Sequence, residues 1–204
     1  MKSQISSNLI FRLLFSPTAV FNELSETRPE PHAVFFRYLI WLAAIPPLFA
    51  YIGASIFGWR LGAADPIYLD SGNLTLISIA YFFALLFGFV TTAIFTQWMA
   101  ATYGARMSLG IHFAMVVIVA APLVVGSATH LFPHVFINVL VFIPVLMWCM
   151  YLLYKGLPIV LKTSPERGML MASALIGYLL VAAVSMLGIT VGLWSSGIGP
   201  LIGV

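Results

Sequence analysis

Charge is what this sequence has least of. Charged residues make up 7% of its 204 positions and hydrophobic residues 62%, whereas a soluble domain carries about 25% charged residues. So few charges could not cover the surface of a soluble fold of this length, so lipid must be the solvent for most of it. Acidic residues are the scarcer sign: six, with none between Glu30 and Asp65 and none between Asp70 and Glu166. Intramembrane carboxylates are the usual proton relays and cation sites of transporters. Their absence weighs against a proton- or sodium-coupled carrier built on one, and removes the acid/base pair that many hydrolases need. There is a single cysteine, Cys149, inside an apolar run. A disulfide within the chain is excluded, and Cys149 reads as a small core residue. No phosphate loop, dinucleotide fingerprint, nucleophile elbow or zinc-protease motif is present. The apolar patch from Leu9 to Phe15 is short, is broken by Arg12 and is not followed by a small-residue cleavage site. The first membrane span is therefore expected to serve as an uncleaved signal.

What the chain does have is long apolar stretches. A bilayer core of about 30 Å needs roughly 20 apolar residues per helix, which leaves room for about five spans and short loops. The spans are predicted at about 35–57, 74–101, 111–131, 135–154 and 169–194, forming one membrane domain over 35–204. The expected fold is all-α: a polytopic integral membrane protein with five transmembrane helices. Residues 1–34 form a separate interfacial segment. Ile5, Leu9 and Leu13 recur at roughly helical spacing with Lys2 and Arg12 among polar residues, which predicts a short amphipathic helix. Ser16-Pro17 then reads as an N-cap and a first-turn proline opening a second short helix that carries Phe21 and Leu24. Pro46-Pro47, Pro122 and Pro144 fall inside spans and predict kinks. Broken helices occur in transporters, but these spans show no evident inverted repeat.

The basic residues divide unevenly along the up-down path. Lys2, Arg12, Arg28, Arg37, Arg106, Lys155, Lys162 and Arg167 fall on one side, and Arg60 alone on the other. The positive-inside rule places the N-terminus in the cytoplasm and the C-terminal tail outside. The dispersal of these charges along membrane edges is not a nucleic-acid signature.

Small residues suggest how the helices pack, since association in lipid depends on close approach. Ala84, Gly88, Thr92, Thr96, Ala100 and Gly104 recur every four residues along the second span; Gly188, Gly192 and Ser196 repeat this in the fifth. Such seams serve either the interior or a homo-oligomer face. Thr91 and Gln97 are the most polar intramembrane positions near the first seam and could line a small hydrated cavity, although glue between helices is the simpler reading. His130 and His134 are four apart, but Pro133 and the turn between spans argue against one continuous helix. No carboxylate or cysteine lies nearby in sequence, so interfacial solvation is preferred over metal binding. His112, at the end of the third span, reads as a polar anchor. Met147, Cys149 and Met150 do not share one helix face, so a soft-metal path is not expected.

Several short features in order resemble the Yip family, the Ypt/Rab-GTPase-interacting membrane proteins of eukaryotes and their bacterial relatives. They are Leu14-Phe15-Ser16-Pro17 followed by Phe21; Gly104 with Ser108-Leu109, then Pro122; and Tyr154-Lys155-Gly156-Leu157-Pro158 followed by Lys162-Thr163-Ser164-Pro165-Glu166-Arg167-Gly168. The resemblance implies a five-helix membrane domain with a cytoplasmic N-terminus. In eukaryotes it implies roles in vesicle traffic, GTPase association and membrane shaping. The long cytoplasmic N-terminal region of many eukaryotic members is not present here, so GTPase binding is not carried over. The short loops favour the bacterial branch and its inner membrane. No family residue is implied to be catalytic.

The resulting expectation is a non-enzymatic membrane organiser or partner-binding module, without metal or cofactor. The lipid bilayer is its surrounding partner, and Arg106, Lys155, Lys162 and Arg167 supply the cytoplasmic contact. Its protein partner would be a second copy or another membrane or cytoplasmic protein. The alternative is a small oligomeric channel or transporter for an ion or small solute.

Overall fold

The computed structural model describes residues 9–60, 62 and 65–197, with side chains from Phe11 onward. The expected helix positions at Lys2 and Ile5, and the tail after Gly197, lie outside these residues. The order is α1 (Leu9–Phe15), α2 (Pro17–Glu26), α3 (Pro31–Val34), a π turn (Phe35–Leu39), α4 (Ile40–Phe57), α5 (Ser71–Thr102), α6 (Leu109–Gly126), a 3-10 turn (Ser127–Leu131), α7 (Val135–Val160) and α8 (Pro165–Ser195). The segment from α3 through α4 is one helix of 27 residues, and α6 continues into the 3-10 turn. Among the described residues, five helices of membrane-crossing length and hydropathy result. Among the described residues the β features are two isolated bridges, Trp59 to Ile67 and Arg60 to His134. The fold is all-α and polytopic.

The helix ends follow local chemistry. Asp70 caps α5, its carboxylate accepting the Asn73 backbone N–H at 3.0 Å. That bond and the Asn73 side-chain amide hold the Asp70 carboxyl below its ordinary range. Ser164 caps α8 through the Arg167 N–H at 3.4 Å, with Pro165 in the first turn, where a missing donor costs nothing. Ser16 precedes Pro17 as expected, but its side chain makes no capping bond.

One local expectation changes, at the end of α7. The α4 helix runs unbroken through Pro46-Pro47, both of them buried, although each proline removes a ladder donor. The departure from α geometry lies upstream, where the Ile40 N–H bonds to the Phe35 carbonyl in the π turn. At the other end of the bundle path, Lys155 and the residues after it belong to α7 rather than to a loop, leaving only 161–164 as the connection to α8. The reason is packing: Gly156, Leu157 and Val160 are buried beneath α2, while Lys155 points outward.

Packing makes α6 the hub. It touches α2, α3, α4, α5 and α7, while α8 packs on α5 and α7. Of its most apolar stretch 72% is buried, against 28% or less in each of the other four spans. Small residues permit this. A methyl on Gly110 would overlap the Pro29 carbonyl oxygen, and one on Gly126 would lie 3.3 Å from a Val145 methyl. The starts of α3, α6 and α8 and the ends of α5 and α7 share one end of the bundle. Since that end holds Arg28, Arg37, Arg106, Lys155, Lys162 and Arg167, it is the basic end. Here α2 docks against α7 and α6 with Val20, Phe21 and Leu24 buried, and an Arg12–Glu23 ion pair of 2.6 Å ties α1 to α2.

Being inside the hub moves His112. It is 1% exposed, and among the described residues neither ring nitrogen has a hydrogen-bond partner. It is not a polar anchor in contact with water, because α2 and α3 close over the start of α6. A buried unsatisfied polar group costs about 1–3 kcal/mol. His112→Leu is therefore expected to stabilise the protein by about that amount, read as a raised thermal unfolding midpoint in detergent. A lowered midpoint would show that the imidazole has a favourable partner.

Candidate functional site

The end of the bundle opposite the basic one holds a cavity of about 370 Å³. It exists because α6 gives way to the tight 3-10 turn, while α4, α5, α7 and α8 continue around the gap. Trp59 and Leu69, in the connection after α4, line it. Trp59 and Ile67 exchange backbone hydrogen bonds of 2.7 and 2.8 Å, and the Arg60 N–H bonds to the Pro133 carbonyl at 2.9 Å. Most of the wall is apolar: Ala50 and Ala54 of α4, Leu74 and Ile77 of α5, and Val135 and Val139 of α7. Trp59 and Trp194 also line it, meeting edge-to-face with centroids 6.0 Å apart.

Polar groups gather on one side. His130 Nδ1 lies 2.6 Å from Asn138 Oδ1, and the Thr129 hydroxyl lies 2.9 Å from the same oxygen. The Asn138 amide nitrogen donates to the carbonyls of His134 at 3.0 Å and Phe132 at 3.3 Å. Tyr81 of α5 places its hydroxyl 3.4 Å from His130 Nε2, and the imidazole stacks on Phe142 with centroids 5.3 Å apart. The two histidines that sequence spacing considered as a pair are therefore separated. His130 sits in the 3-10 turn and faces the cavity, and His134 is the residue before α7, its ring against Phe136. Simple solvation at an interface does not describe them, since His130 is held by protein partners and His134 Nδ1 is buried with none among the described residues.

At the basic end, the four residues expected to make contacts fall into two pairs. Lys162 donates to Glu26 at 2.8 Å, joining the α7–α8 connection to α2. This partner holds the Glu26 carboxyl below its ordinary range. Arg167 donates to the Tyr103 carbonyl at 3.3 Å, joining α8 to the end of α5. Arg106 and Lys155 are exposed, and among the described residues their side chains make no hydrogen bond or ion pair. Nearby, α1 exposes Phe11, Leu14 and Phe15, the last to 82%, beside Arg12. Basic and apolar side chains thus project together from one end.

Residues 11–186 match the Yip1 domain family. The chain belongs to the Yip1 family. It is 29% identical over 161 residues to the inner membrane protein YohC of Escherichia coli strain K12, an alignment covering 79% of this chain and 83% of the relative. YohC of Escherichia coli O6:H1 matches to the same extent. No solved structure matches the chain.

In this Yip1 protein the small-residue positions serve unlike purposes. Thr92, Thr96 and Ala100 are buried inside the bundle and Ala84 is half-buried. A methyl on Gly88, Gly188 or Gly192 would meet nothing within 4 Å among the described residues, so these face outward from the described bundle. Gly104 supplies a positive φ of 82° in the turn after α5. Thr91 accepts a hydrogen bond from Tyr178 of α8 at 2.7 Å. Thr92 and Thr96 donate to carbonyls of their own helix, and Gln97 is half-buried. Neither Thr91 nor Gln97 lines the cavity described above. Its polar side depends on Tyr81 and Asn138, which sequence reasoning did not single out. The available signal was weak: a tyrosine and an asparagine each near the same end of an otherwise apolar span.

Proposed function

We propose that this Yip1 protein is a non-enzymatic organiser or partner-binding module of the bacterial inner membrane, with its basic end, and so its N-terminus, in the cytoplasm and its C-terminus outside. The observation that carries this reading is the basic end itself. There α2 is packed onto the bundle, α1 presents Phe11, Leu14 and Phe15, and Arg106 and Lys155 are exposed with no side-chain partner among the described residues. Each basic residue near an anionic leaflet is worth about 1 kcal/mol of attraction. Cationic and apolar groups together suit a partner that is itself membrane-associated. Lys162 and Arg167 already have partners in the fold, Glu26 and the Tyr103 carbonyl, so Arg106 and Lys155 are the positions left for recognition.

The double variant Arg106→Glu/Lys155→Glu tests this. Tagged wild-type protein pulled from native membranes is expected to bring down a specific partner that the double variant recovers at a fraction of the wild-type yield, with both proteins equally monodisperse. No specific partner in either sample, or equal recovery in both, would defeat the reading.

A further inference from the structure

We propose that the cavity at the end opposite the basic face binds a neutral membrane lipid through a hydroxyl headgroup, held between Tyr81 and His130. The Asn138 amide is oriented by two carbonyls, Phe132 and His134, which only its nitrogen can satisfy. Its oxygen therefore faces His130 Nδ1 at 2.6 Å, and that nitrogen must carry the ring proton. Nε2 of the neutral imidazole is left as an acceptor, on the cavity wall, with the Tyr81 hydroxyl 3.4 Å away. That separation is a long hydrogen bond, so the two groups satisfy one another poorly. A ligand hydroxyl completes both: it donates its proton to His130 Nε2 and accepts from the Tyr81 hydroxyl. An ester or ether at the same position has no proton to donate to Nε2.

The rest of the wall fixes the remainder of the ligand. Among the described residues no Asp, Glu, Lys or Arg lines the cavity, and its surface is mostly aliphatic and aromatic. A phosphate or ammonium headgroup would be buried without a counter-charge, at a cost of several kcal/mol, so the class is uncharged. The volume of about 370 Å³ is at the lower end of the range for small-molecule pockets, about 300–1,000 Å³. It suits a headgroup with the first part of an apolar tail. Trp59 and Trp194 at the wall make such a ligand visible by fluorescence.

The probe is 6-bromohexan-1-ol, whose bromine quenches tryptophan, compared with its acetate ester and with 6-bromohexyl phosphate, on full-length protein in detergent. Saturable quenching by the alcohol is expected, with at least tenfold weaker binding of the ester and the phosphate. Trp59→Phe and Trp194→Phe should each reduce the quenching amplitude, which locates the probe. His130→Phe keeps a ring stacked on Phe142 and should bring the alcohol to the level of the ester. Tyr81→Phe removes a single hydroxyl, leaves packing intact, and should weaken the alcohol several-fold without affecting the ester. Equal affinity for alcohol and ester in the wild type would overturn the proposal, as would a preference that survives in Tyr81→Phe. Competition by a diacylglycerol, a prenyl alcohol and a lipid hydroquinone then distinguishes the sources of the hydroxyl. Displacement by one of them assigns the source, and failure of all three to displace the probe overturns the lipid assignment.

Discussion

Gly53→Ala is expected to destabilise this protein by about 1–3 kcal/mol or more, a larger change than the added methyl group suggests. The added methyl would overlap the His130 carbonyl oxygen and lie 2.8 Å from that of Leu131. These are backbone atoms of the 3-10 turn, held on one side by the hub helix and on the other by the turn into α7, so they cannot rotate away as a side chain would. Either α4 moves off the turn or the turn moves into the cavity. The measurement is the thermal midpoint in detergent, followed as loss of the monodisperse species. Gly88→Ala is the matched control. It is also in a span, but its new methyl would have nothing within 4 Å. Alanine favours helix over glycine by roughly 0.5–1 kcal/mol, so that variant should hold or gain stability. If the two substitutions gave the same shift, the close approach of α4 to the 3-10 turn would not exist.

The second large effect is expected at Phe21. This residue of α2 is 0% exposed. It lies directly over Gly156 of α7, where a methyl would come within 2.6 Å of its ring and of the Met115 side chain. Deleting a buried phenylalanine side chain costs about 3–5 kcal/mol. The loss should be local, because α2 is held otherwise by Val20, Leu24 and the exposed Glu26–Lys162 pair. Exposed ion pairs contribute little, so they cannot keep α2 in place. In Phe21→Ala the segment before α3 should become sensitive to protease in intact membranes while the five spans resist. Phe15→Ala, at a position 82% exposed, should leave the digestion pattern unchanged. An unaltered pattern in Phe21→Ala would mean that α2 is not docked by this ring.

These two positions illustrate how much could be read without the fold. Phe21 stood out in sequence because it follows Ser16-Pro17 at helical spacing, but whether it faced lipid or protein was open. Gly53 gave no signal at all, being one glycine in an apolar run. Close approach between backbones depends on which helices are neighbours, and the residues of one span say nothing about that. The same limit explains His112. A histidine near the end of an apolar stretch ordinarily reaches water, and only the covering of α6 by α2 and α3 puts it inside. One sign of the hub was present: α6 carries a single aromatic residue, Phe113, and small residues on several faces, whereas α5 carries aromatics along most of its length. A helix surrounded by others needs small side chains, and one that faces lipid does not.

By itself, the sequence determined that this is a helical membrane protein, how many spans it has, and which charges share an end. Those properties follow from a solvent that tolerates few charges and requires every backbone group to be paired within the helix. The motif pattern also pointed to the Yip family. The tertiary structure alone decided that α6 is the centre, that Lys162 and Arg167 have partners within the fold while Arg106 and Lys155 have none among the described residues, and that Tyr81, His130 and Asn138 meet. Those three residues come from two spans and a turn, 49 positions separating Tyr81 from His130. Their meeting depends on where α6 stops and how the surrounding helices cross, which is a matter of three-dimensional packing rather than of periodicity along any one helix.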